Sequence, residues 1–351
     1  MPMTRFSALA VAGATALGLV FSAAAEARDL TVVSWGGAYQ DAQKKVYFQP
    51  FEKTTGIKLI EDSWNGGVGT LRAKVEGGAT DWDVVQVEAE ELVLGCEEGL
   101  FEPMEWEAIG GEDAFIKPAV HECGVGTIVW TTGLSYDADK LGDNPPKSWA
   151  DFFDTKTWPG KRSLRKGPKY ALEFALLADG VEPDKIYEVL ATEEGVDRAF
   201  KKLDTIKGDM VWWEAGAQPV QLLAAGDVVM TSAYNGRVSA ANVNENRNFK
   251  IVWPGSIYSV DSWVILRDSP NKEQALKFIA FTSEPEHQKD LPPLVPYGVT
   301  NKGSSELIDP TVLKDVPTAP ENLEVAFELD TEFWVENIEA LNTRFNAWVA
   351  Q

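Results

Sequence analysis

Residues 31–40 read TVVSWGGAYQ, and the way this stretch is parsed decides the fold. Val32 and Val33 form the centre of a buried strand, and Gly36 and Gly37 break it. Residues 39–56, YQDAQKKVYFQPFEKTTG, continue as an amphipathic helix with Tyr39, Val46 and Phe51 recurring on one face. Trp35 and Tyr39 therefore stand where a strand ends and a helix begins, the place where open α/β sheets present their ligand sites. Neither G-x-x-x-x-G-K-[ST] nor G-x-G-x-x-G follows the strand, so nucleotide phosphate is not what this junction is built for. On pattern alone the two rings belong either to the core or to the wall of a cleft.

Working outward, strands and helices alternate. GIKLIEDSW (56–64) and WDVVQV (82–87) are the second and third strands, and EAEELVLGCEEG (88–99) is a short helix opening on carboxylates. This βαβαβ opening predicts an α/β fold with helices on both faces of the sheet. GTIVW (126–130) and TTGLSY (131–136) read as two further strands. A turn-rich crossing follows, in which Ser148 caps a helix over WADFF (149–153). The alternation resumes with helices over 169–180, 195–207 and 216–227 and strands over 209–213, 228–236, 249–254 and 258–268. Asn271 is placed to cap a helix over 271–291, and an amphipathic helix over 332–350 closes the chain.

The 351 residues are long for one core and predict two domains. Residues 1–27 read as a signal peptide: Arg5, an apolar run over 6–21, and small residues at Ala25 and Ala27 before a cleavage point at Arg28. No later stretch reaches ~18 uninterrupted apolar residues. With 54 acidic against 32 basic residues the net charge is -22, which disfavours nucleic acid and anionic membranes as partners. Cys96 and Cys123 are the only cysteines; they pair in one disulfide in an oxidising compartment or remain two free thiols. With only two histidines, His121 and His287, the chain is not suited to a histidine-rich metal centre. There is no G-x-S-x-G elbow either. His121 and Glu122 are adjacent and face opposite ways on a strand, which leaves His121 at the surface rather than in an acid–base pair.

Several segments together resemble the periplasmic solute-binding proteins of ATP-driven importers, in particular the spermidine/putrescine-binding family. They are VVSWGGAYQ (32–40), KTTGIKLI (53–60), DWDVVQV (81–87), GLSYDADK (133–140), PPKSWADFF (145–153), GDVVMTSAYNGR (226–237), VDSWVIL (260–266), NKEQALKFIAF (271–281) and YGVTN (297–301). The resemblance implies a two-lobed, type II-like binding-protein fold with discontinuous lobes, 28–135 with 262–310 and 136–261 with 311–351, closing on a solute in the cleft. It implies a periplasmic monomer that uses no cofactor or metal and passes its solute to an inner-membrane ABC permease. Aromatic rings would sandwich the ligand and carboxylates would hold its amines. The matching positions are Trp35, Tyr39, Tyr234, Asp261 and Tyr297.

In one segment the chain departs from the family. RKGPKYALEF (165–174) places Gly167 and Tyr170 where polyamine binders carry acids, with Arg165, Lys166 and Lys169 around them. A long dication is thereby disfavoured, and a solute with one amine and an aromatic or carboxylate part is expected. Those basic residues face either the ligand or solvent, and Glu173 is the alternative carboxylate one turn on. In DMVWWEAGAQPVQLL (209–223) the strand alternation leaves Trp213 as the ligand-facing ring, with Glu214 and Gln218 beyond it; the alternative is a pair of core tryptophans. Arg237 is suited to a ligand carboxylate or to an inter-lobe salt bridge. Asp261 sits inside an apolar strand and needs a partner, either a ligand ammonium or a base such as Arg237.

Amine capture without chemistry is the expected function. The competing expectations are a binder of an organic carboxylate or ferric ion, a secreted hydrolase using Asp261, Glu214 and His121, and a structural protein.

Overall fold

The computed structural model describes Met1, residues 28–77 and residues 81–351; the expected signal peptide lies outside the described residues. Ten strands form one sheet: β1 (Leu30–Ser34), β2 (Leu59–Ser63), β3 (Val84–Val87), β4 (Val120–His121), β5 (Gly124–Asp137), β6 (Arg162–Arg165), β7 (Met210–Trp213), β8 (Met230–Tyr234), β9 (Phe249–Ile265) and β10 (Phe327–Glu328). Their order is β2-β1-β3-β9-β5-β8-β6-β7, with β10 on β9 and β4 on β5. Pairing is parallel within β2-β1-β3 and within β8-β6-β7, and antiparallel where β9 and β5 join the two groups.

The burial of each strand follows its place. All five residues of β1 and all four of β3 are buried, as expected of strands covered on both faces. β2 is an edge strand and exposes Glu61 and Asp62. One core cluster joins the helices behind β1, including Phe48, Phe51 and Phe278, to the helices behind β6, including Phe152, Phe174 and Leu203. A second, smaller cluster covers the other face of β1 and β3 with Val33, Trp64, Trp82 and Val85.

The first helical run extends from Gly37 to Thr55 with a π-helical turn at Lys44–Phe48, and Gly56 ends it in the left-handed conformation (φ 75°). Glu88 and Glu91 form a reciprocal capping box on the helix Ala89–Glu97, as Ser148 and Asp151 do on Trp149–Phe153. The C-terminal helix Thr331–Val349 buries Phe333, Trp334, Leu341, Phe345 and Trp348. Cys96 and Cys123 form a disulfide with Cα atoms 5.8 Å apart, tying the Ala89–Glu97 helix to the start of β5.

Three expectations are corrected. The runs 126–130 and 131–136 are one fourteen-residue strand, β5, and 249–254 and 258–268 belong to one seventeen-residue strand, β9. The division read between Trp130 and Thr131 is absent, and Pro254-Gly255 interrupts β9 only locally; the β5–β9 register shifts between Thr132 and Leu134, and a Cβ on Gly133 would lie 3.1 Å from Ser256 Cβ. Asn271 sits at the start of the helix Lys272–Ser283 but does not cap it; its Nδ2 instead donates to buried Asp83 at 3.1 Å.

Candidate ligand cleft between the two strand groups

The junction after β1 explains its own glycines. Gly36 and Gly37 both have positive φ (60° and 56°), and a Cβ on Gly37 would stand 2.9 Å from Arg237 Nη1. Arg237, on the helix following β8, reaches across at this point and donates to the Gly36 carbonyl at 2.7 Å and the Trp35 carbonyl at 2.9 Å. The two glycines thus admit a bridge from one strand group to the other. Arg237 spends its terminal nitrogens on backbone carbonyls rather than on Asp261, which excludes the ion pair between those two residues.

Beside this bridge lies a cavity of about 40 Å³. One buried water needs roughly 10–15 Å³, so the space suits a short solute. At its centre is Asp261, 3% exposed, at the point where β9 pairs with Ile128 of β5. Asp261 Oδ1 accepts from Trp130 Nε1 at 2.5 Å, and Oδ2 accepts from Trp35 Nε1 at 2.6 Å and Gln86 Nε2 at 3.1 Å. No cationic side chain among the described residues forms an ion pair with it. Burial, followed by the nearby Glu88 charge, pushes its carboxyl well above the carboxylate range. Its carboxylate form therefore calls for a cation that the chain itself does not supply.

Aromatic rings surround that carboxylate. Trp35 stacks on Trp64 at 5.3 Å, Tyr234 stands edge-on to Trp130 at 5.3 Å and to Trp213 at 5.9 Å, and Tyr39 stands edge-on to Tyr297 at 5.2 Å. An ammonium held over such faces gains about 0.5–2 kcal/mol beyond its ion pair. On the Arg237 side the cavity offers donors. Trp213 Nε1 and Arg237 Nε are buried with no acceptor in hydrogen-bond geometry, and both residues line the space. Each is a donor that an acceptor such as a carboxylate could take up.

Of the expected residues, Trp35, Tyr39, Trp213, Glu214, Tyr234, Arg237, Asp261 and Tyr297 line the cavity. Two do not. Gln218 is exposed and uses Oε1 to accept from the amides of Glu214 (2.7 Å) and Ala215 (2.9 Å), an N-terminal helix function. Tyr170 is buried behind Trp130, and its hydroxyl donates to Glu88 Oε2 at 3.1 Å. Glu173 does not replace it: it is fully buried, accepts from Trp334 Nε1 at 2.8 Å, and is raised to about 7 chiefly by burial. Trp64, Glu88 and Trp130 also line the cavity and went unrecognised in the sequence. Trp130 closed an apolar run and Glu88 opened a helix, so core and cap were sufficient explanations for each.

The rival chemistries fare worse. His121 lies on β4 beside the disulfide, where its Nδ1 accepts from the Cys123 amide at 3.2 Å, and it does not line the cavity with Asp261 and Glu214. Ferric iron would want free phenolates, yet the Tyr39 hydroxyl is engaged by Gln43 and Gln86 and the Tyr234 hydroxyl accepts from Arg165.

Comparison with known proteins finds relatives among solute-binding proteins. A γ-aminobutyric acid-binding protein of Pseudomonas aeruginosa is 51% identical over 336 residues, 95% of each chain. Among solved structures, the binding protein MotA of A. tumefaciens B6 in complex with glucopine superposes with a TM-score of 0.86 at 32% identity, over 92% of this chain and 99% of that one. The Atu4243–GABA receptor superposes with a TM-score of 0.79 at 35% identity, over 92% and 98%. Residues 46–321 match the bacterial extracellular solute-binding proteins, and the chain belongs to that family, whose members of ABC importers deliver small solutes to a permease.

Proposed function

We propose that this protein captures γ-aminobutyrate, or a closely similar short ω-amino acid, in the periplasm and hands it unchanged to an ABC permease. The carrying observation is Asp261: a buried carboxylate among aromatic rings, without an ion-pair partner among the described residues, in a cavity also lined by Trp213 and Arg237, each with an unpaired buried donor. The solute's ammonium binds Asp261 and its carboxylate takes the donors of Trp213 and Arg237. A molecule with one charge of each sign at its two ends fits a cavity with one acceptor end and one donor end. The 51% identity to a γ-aminobutyric acid-binding protein supports the same assignment.

In this reading the lobes are 28–135 with 262–310 and 136–261 with 311–351, joined through β5 and β9, and the protein acts as a monomer. The solute contacts both lobes, and only such differential contact shifts an open–closed equilibrium. Isothermal titration with γ-aminobutyrate, glycine, butyrate and n-butylamine tests the proposal. γ-Aminobutyrate is expected to bind at least a hundredfold more tightly than either single-ended analogue. Equal affinity for butylamine and γ-aminobutyrate would refute the carboxylate subsite, and no heat with any amine would refute the function.

A further inference from the structure

The cavity around Asp261 is closed on one side by ion pairs that the protein makes with itself. Arg165, the last residue of β6, donates to Glu88 Oε1 at 2.6 Å, to the Tyr234 hydroxyl at 3.1 Å and to the Asn65 carbonyl at 3.2 Å. Lys169 Nζ is buried between Glu88 Oε2 and Glu90 Oε1 and donates to both. Behind this wall runs a second groove of about 560 Å³, and Asn65 and Arg165 line both spaces. The groove also carries Glu90, whose Oε2 is buried without a hydrogen-bond partner among the described residues, and Glu91.

Three carboxylates, Glu88, Glu90 and Glu91, are thus gathered within or just past the cavity wall, each no more than 5% exposed. Left alone they would draw a second ammonium. Burial raises Glu88, yet Arg165 and Lys169 outweigh it and hold the group at about 2, so its charge is permanent and already matched. Glu91, by contrast, is pushed up to about 7, by burial first and then by Glu88 and Glu90. A diamine anchored at Asp261 that turned its distal ammonium toward Glu88 would meet Arg165 in the wall and a carboxylate already neutralised by Lys169 behind it, where like charges in a dry site repel.

We propose that Lys169, together with Arg165, determines specificity: it is a built-in counter-cation that takes the place of a second ligand ammonium and restricts the cleft to solutes carrying a single cation. This rests on Asp261 being the ammonium anchor. Lys169 does not line the cavity around Asp261; it acts through Glu88, which does. Removing its charge leaves Glu90 Oε1 without its donor and Glu88 Oε2 with only the Tyr170 hydroxyl, and the groove beyond Arg165 then offers space and uncompensated carboxylate charge to a longer dication.

The test is titration of the parent, Lys169→Met and Lys169→Arg with γ-aminobutyrate and with putrescine. The ratio of putrescine to γ-aminobutyrate affinity is expected to rise at least tenfold in Lys169→Met and to stay at the parent value in Lys169→Arg, which keeps the charge. A purely structural lysine would weaken both ligands alike, and an unchanged ratio in Lys169→Met overturns the inference. So does a parent that binds putrescine as tightly as γ-aminobutyrate. If Lys169→Met is too unstable to titrate, the thermal shifts produced by the two ligands give the same ratio, with Lys169→Gln as a second uncharged variant. Failure of the proposed function has a separate signature: the parent does not bind γ-aminobutyrate, whatever Lys169→Met does with putrescine.

Discussion

Asp261→Asn separates a ligand anchor from a structural charge. In the parent, the two carboxylate oxygens accept from Trp130, Trp35 and Gln86 at 2.5, 2.6 and 3.1 Å. Asparagine keeps the shape but has one oxygen where the carboxylate has two, so one indole N–H loses its acceptor, costing about 1–3 kcal/mol. Working against that loss, the substitution removes a charge whose burial is unfavourable. The sign follows from linkage. An acid whose folded pKa is raised contributes stability that is fully present below its unfolded pKa, and this is lost as pH rises through the folded value. At neutral pH, well above the unfolded value, part of that contribution is already lost in the unliganded parent, and the Asn variant has none to lose. The two effects oppose each other, so the unliganded variant should melt within a few degrees of the parent at pH 7. Affinity behaves differently, because a buried ammonium would be left without its counter-charge. The expected loss is about 2–5 kcal/mol, or roughly 30-fold to several-thousand-fold. Calorimetric titration with γ-aminobutyrate and thermal melts without ligand give both numbers. An Asn variant that binds as tightly as the parent refutes the anchor, and one that keeps its affinity while the unliganded melting point collapses makes Asp261 a structural residue.

Binding should release protons, because an ammonium lowers the raised pKa of Asp261; titration in buffers of different ionisation enthalpy should show this, with affinity falling as pH drops below the raised value, and a buffer-independent heat would contradict it. Arg237→Met removes two charge-assisted bonds to the Trp35 and Gly36 carbonyls, each worth about 1.5–3 kcal/mol. X-ray scattering at saturating γ-aminobutyrate should then report a larger radius than for the parent, with affinity at least tenfold lower; an identical profile would remove Arg237 from closure. Replacing Cys96 and Cys123 by serine opens a loop with a sequence separation of 27 residues and should cost about 3–4 kcal/mol in the chain-entropy treatment, seen as a lower melting temperature with little change in affinity.

Much of the fold was legible because alternation of period-2 and period-3.6 apolar patterns is a local property. Strands β1, β3, β7 and β8 stood out as short runs of Val, Met and Trp between turn residues. The two long strands were harder. The division after Trp130 has no break residue behind it and Pro254-Gly255 is a local signal for a break; only the long-range pairing shows that the backbone continues through both. The site divided in the same way. Trp35 and Tyr39 lie where a strand ends and Asp261 breaks an apolar strand, so the pattern pointed to them, whereas Tyr234 rests on the family resemblance alone. Glu88 and Trp130 conform to their local pattern, and what makes them part of the cleft is Arg165 and Asp261, 77 and 131 residues away in sequence. The fate of Arg165 and Lys169 turned on the same long-range pairing, since nothing within 165–174 tells a solvated lysine from one buried against Glu88 and Glu90.

The position of Asp261 on β9 has a mechanical consequence. β9 pairs with β3 from Ser262 onward, β5 pairs with β8 from Thr132 onward, and Asp261 and Trp130 lie on the shared stretch between. In the proposed two-lobe reading, the anchor of the solute's ammonium therefore sits at the pivot, where a force has almost no lever arm. In that reading, torque that swings the halves together comes from groups further out, such as Trp213 and Arg237, acting through the solute against Trp35 and Tyr39 of the other lobe. Holding a solute and reporting it are then separate tasks: a small amine that satisfies Asp261 alone would occupy the cleft as a silent passenger, whereas a solute long enough to pull on the outer groups would close it.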